Sequence, residues 1–338
     1  MKNVAHLHGY QQAAIDWIFE HDRSMALCPV GSGKTVITWT AIADLMDGGY
    51  IERPMVFAPM RVAQLVWPQE RGQWAHLTDR PIVAWGGEPA SWADSLWKTS
   101  RQLWGSRQYL ESRMPKIVDV VKRRETEQKL ADVLAEERKV NKTIQATPPS
   151  KAVHVTSYEN LLWWAELYAP DASPFDMLVF DEIGKLKNPK SPRYKAVRKH
   201  TKTAKMVVGL NATPAPEGLL DLYTQVTIID GGKLWGKSFY DWRKRYFVPT
   251  DFQAYNWRPQ IGASALLLKD LNTLAFKVDE ADLSYQKSMQ HNQIAVELPP
   301  SARALYTGME KRMAVEIEGR EDIVVDVERI RPRPGQAV

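Results

Sequence analysis

Three short clusters in this 338-residue chain hold residue types able to do chemistry together: Gly31-Ser32-Gly33-Lys34-Thr35, Asp181-Glu182 and Asn211-Ala212-Thr213. In the first, glycines at alternate positions let successive backbone N–H groups curl around an anion, because no Cβ stands in the way. The apolar run Met25–Leu27 before it reads as a buried strand, and Val36, Ile37, Thr40 and Ala43 after it fall at helical spacing. A helix that starts at the anion adds its unpaired N–H groups and its dipole to the cradle. Lys34 is then placed for the β- and γ-phosphates of a nucleotide and the Thr35 hydroxyl for Mg²⁺. The full phosphate-loop pattern wants glycine where Cys28 stands, while the inner Gly-x-Gly-Lys-Thr is kept.

Cleaving a nucleotide triphosphate also requires a carboxylate for the metal and a group that positions the attacking water. Asp181 and Glu182 supply both functions. The apolar residues Met177–Phe180 put the pair at the exit of a core strand, where burial of the strand holds its end in place. An Asp-Glu pair by itself says little; its place after a buried strand and downstream of a phosphate loop makes it informative.

The rest of the chain must position these clusters. A helix is expected after Gly9, with Ala14, Ile15, Ile18 and Phe19 on one side, and the helix after the phosphate loop runs to Met46, where Gly48-Gly49 supply a left-handed end. Pro54–Ala58 reads as a strand, Val62, Leu65 and Val66 as a helix stopping at Trp67-Pro68, and Pro81–Trp85 as a third strand. Residues 88–150 break this rhythm with charged, helix-favouring sequence, including Met114–Val121 and Glu125–Lys142. Twelve basic against seven acidic residues between Lys98 and Lys142 suit either a DNA-facing arm or a solvated hairpin. Alternation then returns: strand Ala152–Thr156, helix Tyr158–Leu167, strand Asp176–Phe180, a helix capped by Ser191-Pro192, and strand Met206–Leu210. Strands alternating with helices predict an α/β fold with a mostly parallel sheet covered on both faces. Ligands of such sheets bind beyond the carboxyl ends of the strands, where all three clusters fall.

With 44% hydrophobic residues the chain can bury a sizeable core, and its longest apolar runs are far short of the ~20 residues of a membrane span. No signal sequence is visible, so the cytoplasm is expected. Cys28 is the single cysteine, which excludes an intrachain disulfide or a cysteine-based zinc site and leaves packing at a strand end. The net charge of +5 is mild, but nine Lys or Arg and no acid lie between Lys185 and Lys205, a pattern of either a solvated helix face or a polyanion contact. The thirteen tryptophans are read as core and interface residues.

In their order along the chain, these motifs resemble the first RecA-like lobe of a superfamily 2 helicase, a Swi/Snf-type DNA-dependent ATPase of the bacteriophage and prophage branch. Tyr10-Gln11 matches the Q motif, Gly31–Thr35 motif I, and Ala58-Pro59-Met60-Arg61 with Trp67 and Glu70 motif Ia. Thr156–Leu161 matches the Ser-Tyr-Glu motif, Asp181-Glu182 with Lys187-Asn188 motif II, and Leu210–Pro214 motif III. Gly218–Gln225, Asp230–Gly232 and Tyr246-Phe247 continue the phage-branch pattern. The resemblance implies a P-loop NTPase lobe binding ATP and Mg²⁺, with Gln11 reading adenine and Gly31, Ser32, Gly33, Lys34 and Thr35 holding the phosphates. Thr35 and Asp181 would bind the metal, Glu182 would position water, and Asn211 and Thr213 would couple nucleotide state to DNA grip. Arg61, Ser157, Lys187, Lys190 and Arg193 would face double-stranded DNA.

The resemblance covers roughly residues 5–318 and implies a lobe over 1–295 with the insertion 88–150 inside it. Residues 296–338 then hold an incomplete entry to a second lobe, beginning at Leu298–Tyr306, and an Arg/Pro-containing tail at Asp322–Gly335. Two departures touch coupling: Ile183-Gly184 replace the usual Ala-His, and Asn211 replaces Thr. The Gln-x-x-Gly-Arg-x-x-Arg motif of the second lobe is not found. Expected is therefore an ATP-driven translocase on double-stranded DNA that is incomplete as a single chain. Its second lobe would be lost to a frame change after about Glu318 or supplied by a second polypeptide, unless the ending is a genuine adaptation to a partner. The alternative is a non-hydrolysing ATP- and DNA-binding module; a packaging ATPase fits the Ser-Tyr-Glu and motif III matches less well. A phage origin would place the protein in the bacterial host cytoplasm.

Overall fold

Short apolar runs rich in Val, Met and Phe, each bounded by a turn or a helix start, build one seven-stranded sheet. The structure is a computed structural model and describes residues 1–85, 92–146, 149, 151–216, 218–279, 297–300, 302–304, 306 and 307. The sheet strands are β1 (Arg23–Leu27), β2 (Pro54–Ala58), β3 (Ile82–Ala84), β4 (Val153–Ser157), β5 (Met177–Asp181), β6 (Met206–Asn211) and β9 (Ala275–Lys277). Their order is β3-β4-β2-β5-β6-β1-β9, and every pairing is parallel. A separate antiparallel pair, β7 (Phe247–Pro249) and β8 (Trp257–Pro259), stands outside it.

Ten helices accompany the strands among the described residues: α1 (Gly9–Glu20), α2 (Lys34–Asp47), α3 (Trp67–Gln73), α4 (Trp92–Arg113), α5 (Val120–Ala146), α6 (Leu161–Leu167), α7 (Pro192–His200), α8 (Leu222–Asp230), α9 (Phe239–Tyr246) and α10 (Ala263–Asn272). Because strand side chains alternate, successive residues feed two different cores. Met25, Leu27, Phe57, Leu178 and Phe180 pack on one face with Trp164, Val197 and Val226 from α6, α7 and α8. Ala26, Val56, Val179 and Val208 pack on the other with Ile15 of α1 and Ile37 of α2. Phe57 stacks on Phe180 at 5.6 Å, and full burial of each such side chain contributes roughly 1.5–3 kcal/mol. Since β5 and β6 lie between β2 and β1, the ends of β5, β6 and β1 are neighbours, and they carry the three clusters.

Most predicted elements are present, with instructive shifts. Phe19 lies off the apolar face of α1, 43% exposed against Tyr50, because the buried stripe is completed by Gln11 instead. The helix predicted to stop at Trp67-Pro68 begins as a wide π-type turn over Val62–Val66 and continues to Gln73, since proline is tolerated in a first turn. Leu65 and Val66 are exposed there, while Ala63 and Trp67 are buried. Gly48 keeps right-handed dihedrals, and only Gly49 is left-handed, at φ 69°. Met114–Val121 is not one helix: Pro115 sits in a single short turn at Met114–Lys116, and α5 starts at Val120.

Helices α4 and α5 thus pack together as a hairpin, and it is anchored rather than free. Arg107 of α4 pairs with Glu137 of α5 at 3.1 Å and with Glu166 of α6. Trp163 Nε1 donates to Ser100 Oγ, which donates in turn to Asn141 Oδ1. Tryptophans 39, 67, 164 and 242 are fully buried, as core residues should be.

The chain divides into two compact units, Met1–Ser284 and Tyr285–Val338. In the second, residues 300, 302–304, 306 and 307 are helical, and the Arg/Pro tail lies outside the described residues. Among the described residues no helix is long and apolar enough to cross a membrane. Removing the Arg107 charge while keeping its bulk should leave Glu137 buried and unpaired. Arg107→Met is expected to lower unfolding free energy by about 1–3 kcal/mol in a urea titration, and an unchanged midpoint would show that the triad does not anchor the hairpin.

Candidate functional site

The phosphate loop is built from the backbone outward. Gly31 and Gly33 adopt left-handed conformations, at φ 85° and 84°, that L-residues rarely reach. A Cβ at Gly33 would collide with the Gln11 carboxamide. Ser32 is fully buried, and its hydroxyl donates to Pro29 O at 2.8 Å, closing the loop on itself. Gln11 Nε2 and the Tyr10 hydroxyl both donate to Ser32 O, at 2.9 and 3.1 Å, while Gln11 Oε1 accepts from His8 N at 2.9 Å. The start of α1 therefore holds the loop from behind. At the entry to the loop, Cys28 N donates to Asn211 O at 3.0 Å, tying it to the end of β6.

The carboxylates lie two strands away, at the end of β5. Asp181 is 4% exposed, and its Oδ2 accepts from Trp67 Nε1 at 3.1 Å. The Trp67 carbonyl accepts in turn from Trp39 Nε1, and the two indoles pack tilted against each other at 5.8 Å, which fixes the direction of that donor. The Tyr158 hydroxyl donates to Asp181 O at 2.9 Å; burial pushes the phenol well above its usual range, and it stays a donor. Burial raises the Asp181 carboxyl to about 6, and Glu182 adds to this, while Trp67 and Lys34 pull the other way. Glu182 is one of two non-glycine residues with positive φ among the described residues, at 56°, a conformation costing about 1–3 kcal/mol. It persists because Ile183 beside it is fully buried and Lys185 N donates to Glu182 O at 3.0 Å.

These pieces converge. Lys34 Nζ lies 3.5 Å from Glu182 Oε1 and donates to Cys28 O at 3.3 Å, so the lysine spans the loop and the acid. A left-handed glycine cradle at a helix N-terminus, a lysine and a buried carboxylate form a donor set that fits a phosphate chain with its cation. Among the described residues no group of three or more His, Cys, Asp or Glu is gathered, and a cation carried by phosphates needs only one or two protein ligands. Asn211 is buried, with Oδ1 accepting from Thr213 N at 3.2 Å, whereas Thr213 itself is exposed.

The residues assigned to DNA are more scattered. Arg61 is exposed just beyond β2, and Ser157, 5% exposed, ends β4 beside it, with Ala58 and Ser157 in register. Lys187 lies 3.7 Å from Asp221, Lys190 is exposed and Arg193 is half-buried on α7. Of the other basic residues in that run, Lys205 donates to Tyr50 O and Arg198 to Lys237 O, so part of the positive charge serves the fold.

The profile of the SNF2-related domain matches residues 10–322, most of the chain. The chain belongs to the SNF2-related domain family. Protein p41 of Acyrthosiphon pisum secondary endosymbiont phage 1 is similar, 27% identical over 317 residues, a match covering 91% of this chain and 58% of that relative. Two solved structures share the fold of this SNF2-related chain: the Sulfolobus solfataricus SWI2/SNF2 ATPase core in complex with dsDNA and the same core domain by itself. The TM-scores are 0.53 and 0.51 at 17% and 16% identity, covering 91% of this chain and 52% and 51% of theirs. This SNF2-related chain thus spans little more than half the length of the proteins it matches. Its all-parallel sheet is the RecA-like lobe of the family.

Sequence reasoning missed the support for the site. Trp67 was legible only as part of a motif, and nothing in its neighbours announces a bond to a residue 114 positions away. Gln225, fully buried in α8, reads as one polar residue in an apolar run; its position among Val226, Ile228 and Ile229 was the available signal.

Two outcomes follow from the buried groups. The folded state holds the Asp181 proton up to about pH 6, above the unfolded range, so stability of the ligand-free protein falls as pH rises from about 4 to 6 and is level above. Asp181→Asn should remove that decline and stabilise the protein above pH 6, on the order of 1–3 kcal/mol by chemical denaturation; equal stability at pH 5 and 8 in wild type would contradict it. Burial raises the Cys28 thiol to about 11, so native protein at pH 8 should react slowly with a thiol reagent and quickly once unfolded.

Proposed function

We propose that this protein is an ATP-dependent motor lobe acting on double-stranded DNA. The observation that carries the reading is the convergence of Lys34, Glu182 and the glycine cradle at the ends of β1 and β5. Backbone N–H groups of residues 31–35 and the Lys34 ammonium hold the phosphates, and Gln11, already braced on Ser32 O, stands at the adenine side. Thr35 and Asp181 would hold Mg²⁺, whose positive charge would offset the negative charge that develops on the phosphates. Trp67 orients the Asp181 carboxylate toward that task by occupying one oxygen and leaving the other. Glu182 positions the attacking water once Lys34 turns from it to phosphate.

DNA is gripped along the carboxyl edge of the sheet by Arg61, Ser157, Lys190 and Arg193, with Lys187 beside them. The similarity to a core solved with dsDNA supports a duplex partner. The arginine that completes such sites would be supplied by a second polypeptide, and the work is done in a bacterial host cytoplasm. Without that arginine, hydrolysis is slower by roughly 10³- to 10⁵-fold.

Nucleotide affinity and steady-state phosphate release, each with and without duplex DNA, test the reading. Lys34→Ala should abolish nucleotide binding, while Glu182→Gln should bind normally and lose slow DNA-stimulated turnover. Turnover indifferent to Glu182→Gln would remove the motor assignment, and binding without any turnover would favour an inert module.

A further inference from the structure

Residues 250–256 join β7 to β8 in a tip whose two aromatic side chains stand in solvent: Phe252 is 106% exposed and Tyr255 79%. The tip that carries them is braced. The Arg243 guanidinium of α9 lies 4.0 Å over the Trp257 ring of β8, and 5.4 and 5.6 Å from the rings of Phe239 and Tyr240. Trp257 Nε1 in turn donates to Ala254 O at 2.8 Å, which ties the tip to that stack. Ala254 holds a left-handed φ of 54°, and the Asp251 carboxylate accepts from Tyr255 N and Asn256 N at 2.9 and 2.7 Å. The backbone under both exposed rings is therefore pinned, and the rings are presented outward at little further cost in conformational freedom.

The charge around the tip says what the rings suit. Residues 233–260 hold six Lys or Arg, at 233, 237, 243, 244, 245 and 258, against Asp241 and Asp251, and the Asp251 carboxylate is taken up by backbone N–H groups. Arg198 of α7 donates to Lys237 O, which joins this surface to the basic run 185–205. Flat apolar faces set in a positive surface fit a nucleobase carried on a phosphate chain. Within a duplex, neighbouring bases cover both faces of each base, so only an unpaired or terminal base can receive such a ring. We propose that Phe252 and Tyr255 form a stacking site for unpaired nucleotides, with Arg258, exposed on β8 in register with Val248, as a phosphate contact. The protein then holds DNA where its strands part or end, adding contacts to bases to those it makes with phosphate.

The inference rests on the DNA reading above. Equilibrium binding of the full chain to a blunt duplex, and to the same duplex with an oligo-dT tail, tests it. Wild type should prefer the tailed to the blunt duplex by about tenfold or more, and Phe252→Ala with Tyr255→Ala should lose that preference while blunt-duplex affinity stays within about twofold. Both side chains stand in solvent, so their removal leaves the core intact. Phe252→Trp should keep the preference, because it keeps a flat ring. Arg258→Gln should instead reduce the salt slope of tail binding by about one. An iodinated uracil in the tail should photocross-link to Phe252 or Tyr255. No preference for the tail in wild type, or an undiminished one in the double variant, overturns the stacking site and leaves the duplex reading standing. A double variant that binds the tail like wild type but loses self-association in sedimentation assigns the rings to a second copy of the chain and overturns the proposal equally. Failure of wild type to bind either DNA removes the functional reading and the stacking site with it.

Discussion

A carboxylate held out of water at the end of a fully buried strand is the constraint on which the other features depend. Asp181 continues Met177–Phe180 without a break in burial, so its charge sits where solvent cannot stabilise it. The surrounding sequence answers that cost with specific donors. The Trp67 indole fixes one oxygen, Lys34 supplies positive charge nearby, and the next residue is forced into a left-handed turn that carries Glu182 away from the strand. A site left electrostatically unsatisfied by its own protein is one that a cation and a phosphate chain can complete.

Burial also decides which parts of the molecule were readable. Pro54–Ala58 was legible to the residue because all five positions are buried between a helix-ending Gly48-Gly49 turn and Pro59. The phosphate loop was legible because glycine at 31 and 33 is required by the backbone itself, independently of what surrounds it. β9 was not, since three residues with only Ala275 fully buried carry too little periodicity to be told from a loop, and its identity as a strand comes wholly from pairing with β1. The same holds for β7 and β8, three residues each and each ending in proline, which are too short to show alternation.

At the site, residue types suited to a phosphate or a cation are readable from local chemistry, and residue types that support those residues are not. Lys34, Asp181 and Glu182 announce themselves through their motifs. Trp67 and Tyr158 hold Asp181 in place from other elements, and the distance in sequence hides the connection. Gln11 belongs to both groups: its motif pointed toward a nucleotide, and the fold shows its amide also bracing the loop through Ser32 O. The basic run from Lys185 to Lys205 shows the opposite hazard, because a dense charge pattern mixes residues available to a polyanion with others, such as Lys205, that secure backbone carbonyls.

The strand order has a bearing on how this protein is made. β1 and its phosphate loop lie near the amino terminus, yet the neighbours of β1 are β6, some 180 residues later, and β9, some 250 residues later. Residues 23–27 are therefore made before either neighbour: the β6 edge waits for residue 211 and the β9 edge for residue 277. The phosphate loop that follows β1 is thus among the last features of the sheet to be flanked on both sides, and an apolar strand waits through most of synthesis for its second partner. Long-range parallel pairing of this kind forms slowly and leaves strand edges open meanwhile, which is the practical consequence of setting an early strand between two late ones.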